Sequence, residues 1–145
     1  MADKVLVTIT GRQKYDDLND KIEMTTVGTM EENENGFILR YNEEQEPPLK
    51  PNRATLKISK DEKNVQMIRS GSSNSCLIIE KSKRNLCNYS TPYGDMLMGI
   101  FGREISIDAE EETGKQIFHF AYDIDINGAL SSQNEVTVTL KNLEQ

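Results

Sequence analysis

Along most of the chain apolar and polar residues alternate with a period of two, the period of a half-buried strand and not of a helix. "KVLVTIT" puts Val5, Val7 and Ile9 on one face. "KIEMTTVGTM" sets Ile22, Met24 and Thr26 against Glu23, Thr25 and Val27. The runs "GFILRY", "ATLKIS", "NVQMIRS", "SCLIIEK", "NLCNYS", "DMLMGIFGREISI", "KQIFHFAYDIDI" and "EVTVTLK" follow, about ten β-like segments in all. Their frequent spacing of about 8–12 residues predicts an all-β barrel or sandwich. No amphipathic helix is legible.

Turn chemistry fills the gaps. "NENG" supplies Asn35-Gly36, a favoured two-residue hairpin turn because both positions tolerate positive φ. Gly71 in "SGSSN" suits a tight reversal. "TPYG" has Pro92 second and Gly94 fourth, a type I pattern. Gly114 in "EETGK" stands where a bulged hairpin needs a left-handed residue. Short turns join antiparallel neighbours, so the chain reads as a meander. "EEQEPPLKPN" is the exception: its prolines cannot donate to a ladder, which predicts a surface crossing or an edge. No internal boundary or repeat divides the chain, and residues 1–145 are expected to form one domain.

Two runs, "YGDMLMGIFGREISI" and "GKQIFHFAYDIDING", are about twice the usual strand length of five or six residues. Long strands coil, and Gly99 and Gly102 are placed to permit a bend or bulge. Coiled antiparallel strands around one core make a barrel. The order of segments, "MIRSG" in mid-chain, then "YSTPYG", then "GK" opening "FAYDIDING", then "NEVTVTLK", resembles the YwiB-like family. These are small bacterial proteins of no established function. The resemblance spans nearly the whole chain. It implies an antiparallel up-and-down β-barrel, lipocalin-like (calycin), of about 8–10 strands with little or no helix. It also implies a bacterial, cytoplasmic setting, and it carries no catalytic residues over.

Charge narrows the partners. With a net charge of −7 and a pI near 4.8, the surface repels phosphate backbones and anionic lipid, so neither nucleic acid nor a membrane is expected as a partner. The apolar start of "MADKVLVTITGR" is too short for a signal peptide and is broken by threonine, which points to the cytoplasm. Cys76 and Cys87 match neither a zinc knuckle nor a redox pair. A disulfide between neighbouring strands is sterically conceivable, but a reducing compartment favours two small core-type thiols.

Few residues suggest chemistry. Asp123, Asp125, Asn127, Gly128 and Leu130 follow the first half of a calcium loop, but its twelfth position is Asn134, and Glu135 comes one residue late. The alternation of "FHFAY" instead turns Phe118, Phe120 and Tyr122 inward. His119, Ala121, Asp123 and Asp125 then face outward along an extended strand that cannot wrap an ion. No metal and no cofactor are expected. His119, the only histidine, reads as a polar-face strand residue and not as a base. The acidic run from Asp108 to Glu112 reads as a solvated hairpin tip. Met24, Met67, Met96 and Met98 read as ordinary core packing that would also suit a pliable cavity.

Tyr89, Tyr93 and Tyr122 offer hydroxyls for a pocket mouth, since a tyrosine has an apolar body and a polar tip. Arg69 shares a face with Val65 and Met67 and is followed at once by a turn, which puts it at one end of the barrel. There it serves either a structural ion pair or a ligand's acidic group. The expected function is a non-enzymatic barrel binding a small, partly apolar ligand, with Arg69, Tyr89, Tyr93 and Tyr122 as candidate contacts. A filled barrel would favour a protein-interaction or regulatory module instead. An enzyme ranks third, because no titratable groups cluster in the sequence.

Overall fold

Each alternating run becomes a strand. The computed structural model describes residues 3–16, 18–43, 52–71, 74–91, 94–110 and 112–143, and the side chains of 89–91 lie outside that description. The strands are β1 (Asp3–Tyr15), β2 (Leu18–Glu32), β3 (Gly36–Glu43), β4 (Asn52–Ser59), β5 (Asn64–Ser70), β6 (Ser75–Glu80), β7 (Arg84–Thr91), β8 (Gly94–Glu110), β9 (Lys115–Ile126) and β10 (Ala129–Asn142). No helix occurs among the described residues, and so none is long and apolar enough to cross a membrane.

The ten strands form one antiparallel sheet in the order β6-β5-β4-β3-β2-β1-β10-β9-β8-β7. Every sequential pair is a hairpin neighbour except β6 and β7, and the first and last strands pair along ten residues, from Val5↔Asn142 to Lys14↔Gln133. The result is the expected up-and-down barrel, nearly closed, with one seam between β6 and β7.

The seam has a local cause. The connection after β6 commits its backbone groups to the β4–β5 turn and to β8: Lys81 N–H donates to Lys63 O, Ser82 N–H to Gly102 O, and Gly102 N–H to Lys83 O. Gly102 is required there, because a Cβ would stand 2.3 Å from Glu80 O. Side chains from β7 span the remaining gap. Asn85 Nδ2 donates to Ile78 O (3.3 Å) and Glu80 Oε1 (3.1 Å), and the Cys87 thiol donates to Cys76 O (2.8 Å). Cys76 and Cys87 are thus neighbours across the seam and both are free thiols, but neither is a core residue as expected: Cys76 is exposed and Cys87 half-buried.

Facing follows the alternation. Phe118 and Phe120 on β9 are each 1% exposed and Tyr122 is buried with them. His119 faces the other way and meets Thr137 Oγ1 at 3.1 Å. Ala121 also lies on the outer face yet is buried, flanked in register by Glu104 and Glu135. Toward one end the barrel interior is filled by buried residues including Val5, Phe37, Ile58, Val65, Ile79, Ile105, Phe118 and Leu140, and a concavity of about 320 Å³ lined in part by Val5, Met30 and Leu140 lies at that end. The rings of Phe37 and Phe118 meet there at 5.2 Å with a 53° tilt.

Two local expectations need correction. A hairpin does form at Asn35-Gly36, but neither residue takes positive φ. Asn33 makes that turn, its Oδ1 accepting from Asn35 N–H (2.8 Å) and Gly36 N–H (3.0 Å). The Asn-Gly turn with positive φ at both positions is Asn127-Gly128, at 54° and 86°, joining β9 to β10. Gly99 marks no bulge: the register of β8 shifts between Gly102 and Glu104, at Arg103. Gly114, at φ 71°, makes the β8–β9 hairpin as expected, its N–H donating to Glu110 O. The proline-rich expectation over residues 44–51 and that for Pro92-Tyr93 lie outside the described residues.

Candidate functional site

Opposite the packed end, the barrel interior is not filled. A cavity of about 350 Å³ opens there. Its wall is apolar: Ile9 and Met24 from the β1–β2 hairpin, Leu56 and Met67 from β4 and β5, and Phe120, Val136 and Val138 from β9 and β10. Gly11 contributes to the space. It stands opposite Ile22 and Val136, and a Cβ built on it meets nothing within 4 Å.

A polar layer sits among these walls. Arg69, Tyr41, Glu43, Tyr122 and Asn134 all line the cavity, with Gln13, Asp20, Arg12 and Glu135 toward its rim. Arg69 Nε donates to Glu43 Oε1 at 2.7 Å, with side-chain exposures of 34% and 21%. Arg69 therefore combines both expected arrangements, an ion pair and a place in the cavity wall. Burial opposes the guanidinium's charge, but the Glu43 hydrogen bond and field outweigh it and hold its pKa above the usual arginine value. Among the described residues only Nε is used, and no hydrogen bond engages Nη1 or Nη2.

The phenols beside Arg69 stay neutral donors. Burial and, secondarily, Glu43 push Tyr41 up to about 12. Burial also raises Tyr122, partly offset by Arg69. The Tyr122 ring lies nearly parallel to Phe120 at 6.2 Å. Asn134 is buried and donates to Ser132 Oγ at 3.0 Å.

Of the candidate residues, Arg69 and Tyr122 converge on this cavity. Tyr89 has a described backbone paired with Met96, but its side chain, and all of Tyr93, lie outside the described residues. Tyr41 and Glu43 escaped the sequence analysis. The period of two runs through Phe37, Leu39, Tyr41 and Glu43, so continuing the inward face past Leu39 would have found both.

A second concavity of about 530 Å³ adjoins the first and shares Arg12, Gln13, Asp20 and Glu135 with it. Lys14, Lys21 and Arg103 add positive charge there. Arg103 Nε donates to Asp123 Oδ1 at 2.8 Å.

The aspartates of the calcium-like stretch are engaged elsewhere. Asp123 holds Arg103, and both oxygens of Asp125 hold Arg84 at 2.7 and 2.8 Å. The Arg84 bond is the first cause of the lowered Asp125 pKa. Gly99 lies beneath this pair; a Cβ there would come within 2.4 Å of Arg84 Nε and Asp125 Oδ2. Among the described residues no group of three His, Cys, Asp or Glu could hold a metal.

The comparisons agree with this architecture. No curated protein matches the chain. The fold is similar to that in the crystal structure of the ywiB protein from Bacillus subtilis, with a TM-score of 0.81 and 21% identity, over 97% of this chain and 92% of that one. Residues 7–138 match the family described as Domain of unknown function (DUF1934), and the chain belongs to that family.

Proposed function

From that membership and the half-filled barrel, we propose that the protein binds a small, partly apolar ligand inside the open end of the barrel. The observation that carries this reading is the 350 Å³ cavity, within the range typical of small-molecule sites. At the roughly 30 Å³ that a water molecule occupies, it has room for about a dozen non-hydrogen atoms. Apolar walls with a few convergent polar groups fit a ligand of mixed character, and Met24 and Met67 give the wall some adaptability. No catalytic step is assigned.

Gly11→Leu tests this reading without attacking the fold. Gly11 does not have positive φ, and a Cβ there meets open space, so a leucine side chain enters the cavity. Native mass spectrometry of the protein purified from its source should show a retained small molecule on the wild type and none on Gly11→Leu. The same mass retained by both proteins would place binding elsewhere.

A protein partner is the second reading. Ile78, Leu86, Leu97 and Phe101 are exposed on the outer face beside the seam, with relative exposures from 37% to 61%. Leu97 and Phe101 flank Gly99 on β8, and Leu86 stands opposite Gly99.

A further inference from the structure

We propose that the ligand's head group is a carboxylate, seated on the unused Nη1/Nη2 edge of Arg69 while Glu43 holds the Nε side. The inference rests on the barrel-cavity reading and specifies the chemistry of that site.

Three observations carry it. The first is the division of the guanidinium. Arginine presents five N–H donors in a planar fork, and Glu43 takes the Nε donor at 2.7 Å. That leaves the Nη edge, whose two parallel donors match the spacing of two carboxylate oxygens. Glu43 is thus a positioning residue: it fixes the rotamer of Arg69 and sets which edge is free.

The second is the surplus of donors. Tyr41 and Tyr122 line the same cavity as neutral phenols, able to donate to an anion. Both sense the charge of Arg69, so the three groups are close.

The third is the local charge. The two adjoining concavities are lined by five cations, Arg12, Lys14, Lys21, Arg69 and Arg103, against three carboxylates. Two of those carboxylates are at the rim: Asp20 accepts from Tyr15 O–H at 2.7 Å, and Glu135 stands opposite Arg12 in register. Arg12 and Lys14 have no ion pair among the described residues. Counting Glu23 and Asp123, which pair with Lys21 and Arg103, five carboxylates balance the five cations, so on a protein of net charge −7 this opening is close to neutral and repels an anion less than the surface as a whole does.

The test is calorimetric titration with octanoate, 1-octanol and octylamine, which share a tail and differ in the head. Octanoate should bind at least about tenfold more tightly than octanol, the scale of one charge-assisted interaction, and the amine should bind least. Arg69→Met keeps the apolar stem and should reduce octanoate to the level of octanol. Arg69→Lys keeps a cation for Glu43 but removes the fork, so it should weaken octanoate while leaving octanol unchanged; it serves if the Met variant does not fold.

If octanol matches octanoate, or octylamine binds best, while Gly11→Leu abolishes binding, the cavity stands and the carboxylate assignment is overturned. If no compound binds, the cavity reading falls and the carboxylate falls with it.

Discussion

Phe118 and Phe120 are two positions apart on one strand, face the same way and are each 1% exposed. Burial alone gives their truncations equal costs. The surroundings do not, because Phe120 lines the cavity and Phe118 belongs to the packed end against Phe37. Removing a buried phenylalanine side chain forfeits about 2–3 kcal/mol of transfer free energy. Phe118→Ala also leaves a closed void, of roughly 100 Å³ if its neighbours stay put, worth about 2 kcal/mol at ~24 cal/mol per Å³. Loss of the tilted ring contact with Phe37 adds about 0.5–1 kcal/mol. The expected cost of Phe118→Ala is therefore about 5 kcal/mol. Phe120→Ala loses a ring contact too, with Tyr122, but it merely enlarges an existing opening, so most of the void contribution vanishes and the expected cost is about 3–3.5 kcal/mol. Urea unfolding followed by circular dichroism gives both values, provided the m-value is unchanged. Equal costs, or Phe120→Ala the costlier, would refute the division into a packed end and an open one.

Two pH effects and one metal test follow from the named contacts. The folded pKa of Asp125 is depressed, chiefly by its hydrogen bond to Arg84, so its contribution to stability is present above the usual aspartate value of 3.8 and is lost as pH falls through the folded value. Carboxyl carbon NMR should find its midpoint below 3.8, and Arg84→Met should return it toward that value. Tyr41 is raised to about 12, so its contribution is intact below the usual tyrosine value of 10.0 and declines as pH rises from there through about 12. Tyr41→Phe should flatten that alkaline decline, and an unchanged decline would show that the phenol is not held neutral. Calcium should leave the melting temperature unmoved, because Asp123 and Asp125 already hold arginines. A rise near micromolar calcium, abolished by Asp125→Ala, would contradict this.

The sequence by itself determined the strands and their facing. A side-chain period of two is a property of the extended backbone, so Val65, Met67 and Arg69 shared a face before any partner strand was known. The same rule turned Phe118, Phe120 and Tyr122 inward and exposed the calcium-like stretch as a strand. Turn type was less legible, since it depends on which residue closes the loop: Asn33, not Asn35, carries one hairpin, and Asn127-Gly128 carries another. Tertiary structure decided whether the interior is filled. Alternation says which side chains point inward but not how far apart the walls stand, and that distance follows from strand number, tilt and register around the barrel. Pairing β1 with β10 sets Gly11 opposite Val136, where the missing side chain leaves space. Pairing of β3 and β5 with β4 brings Glu43 to Arg69 from 26 residues away, and closure of the barrel sets Tyr122 beside them. Such contacts depend on the register of non-local strands, which local sequence periodicity does not encode.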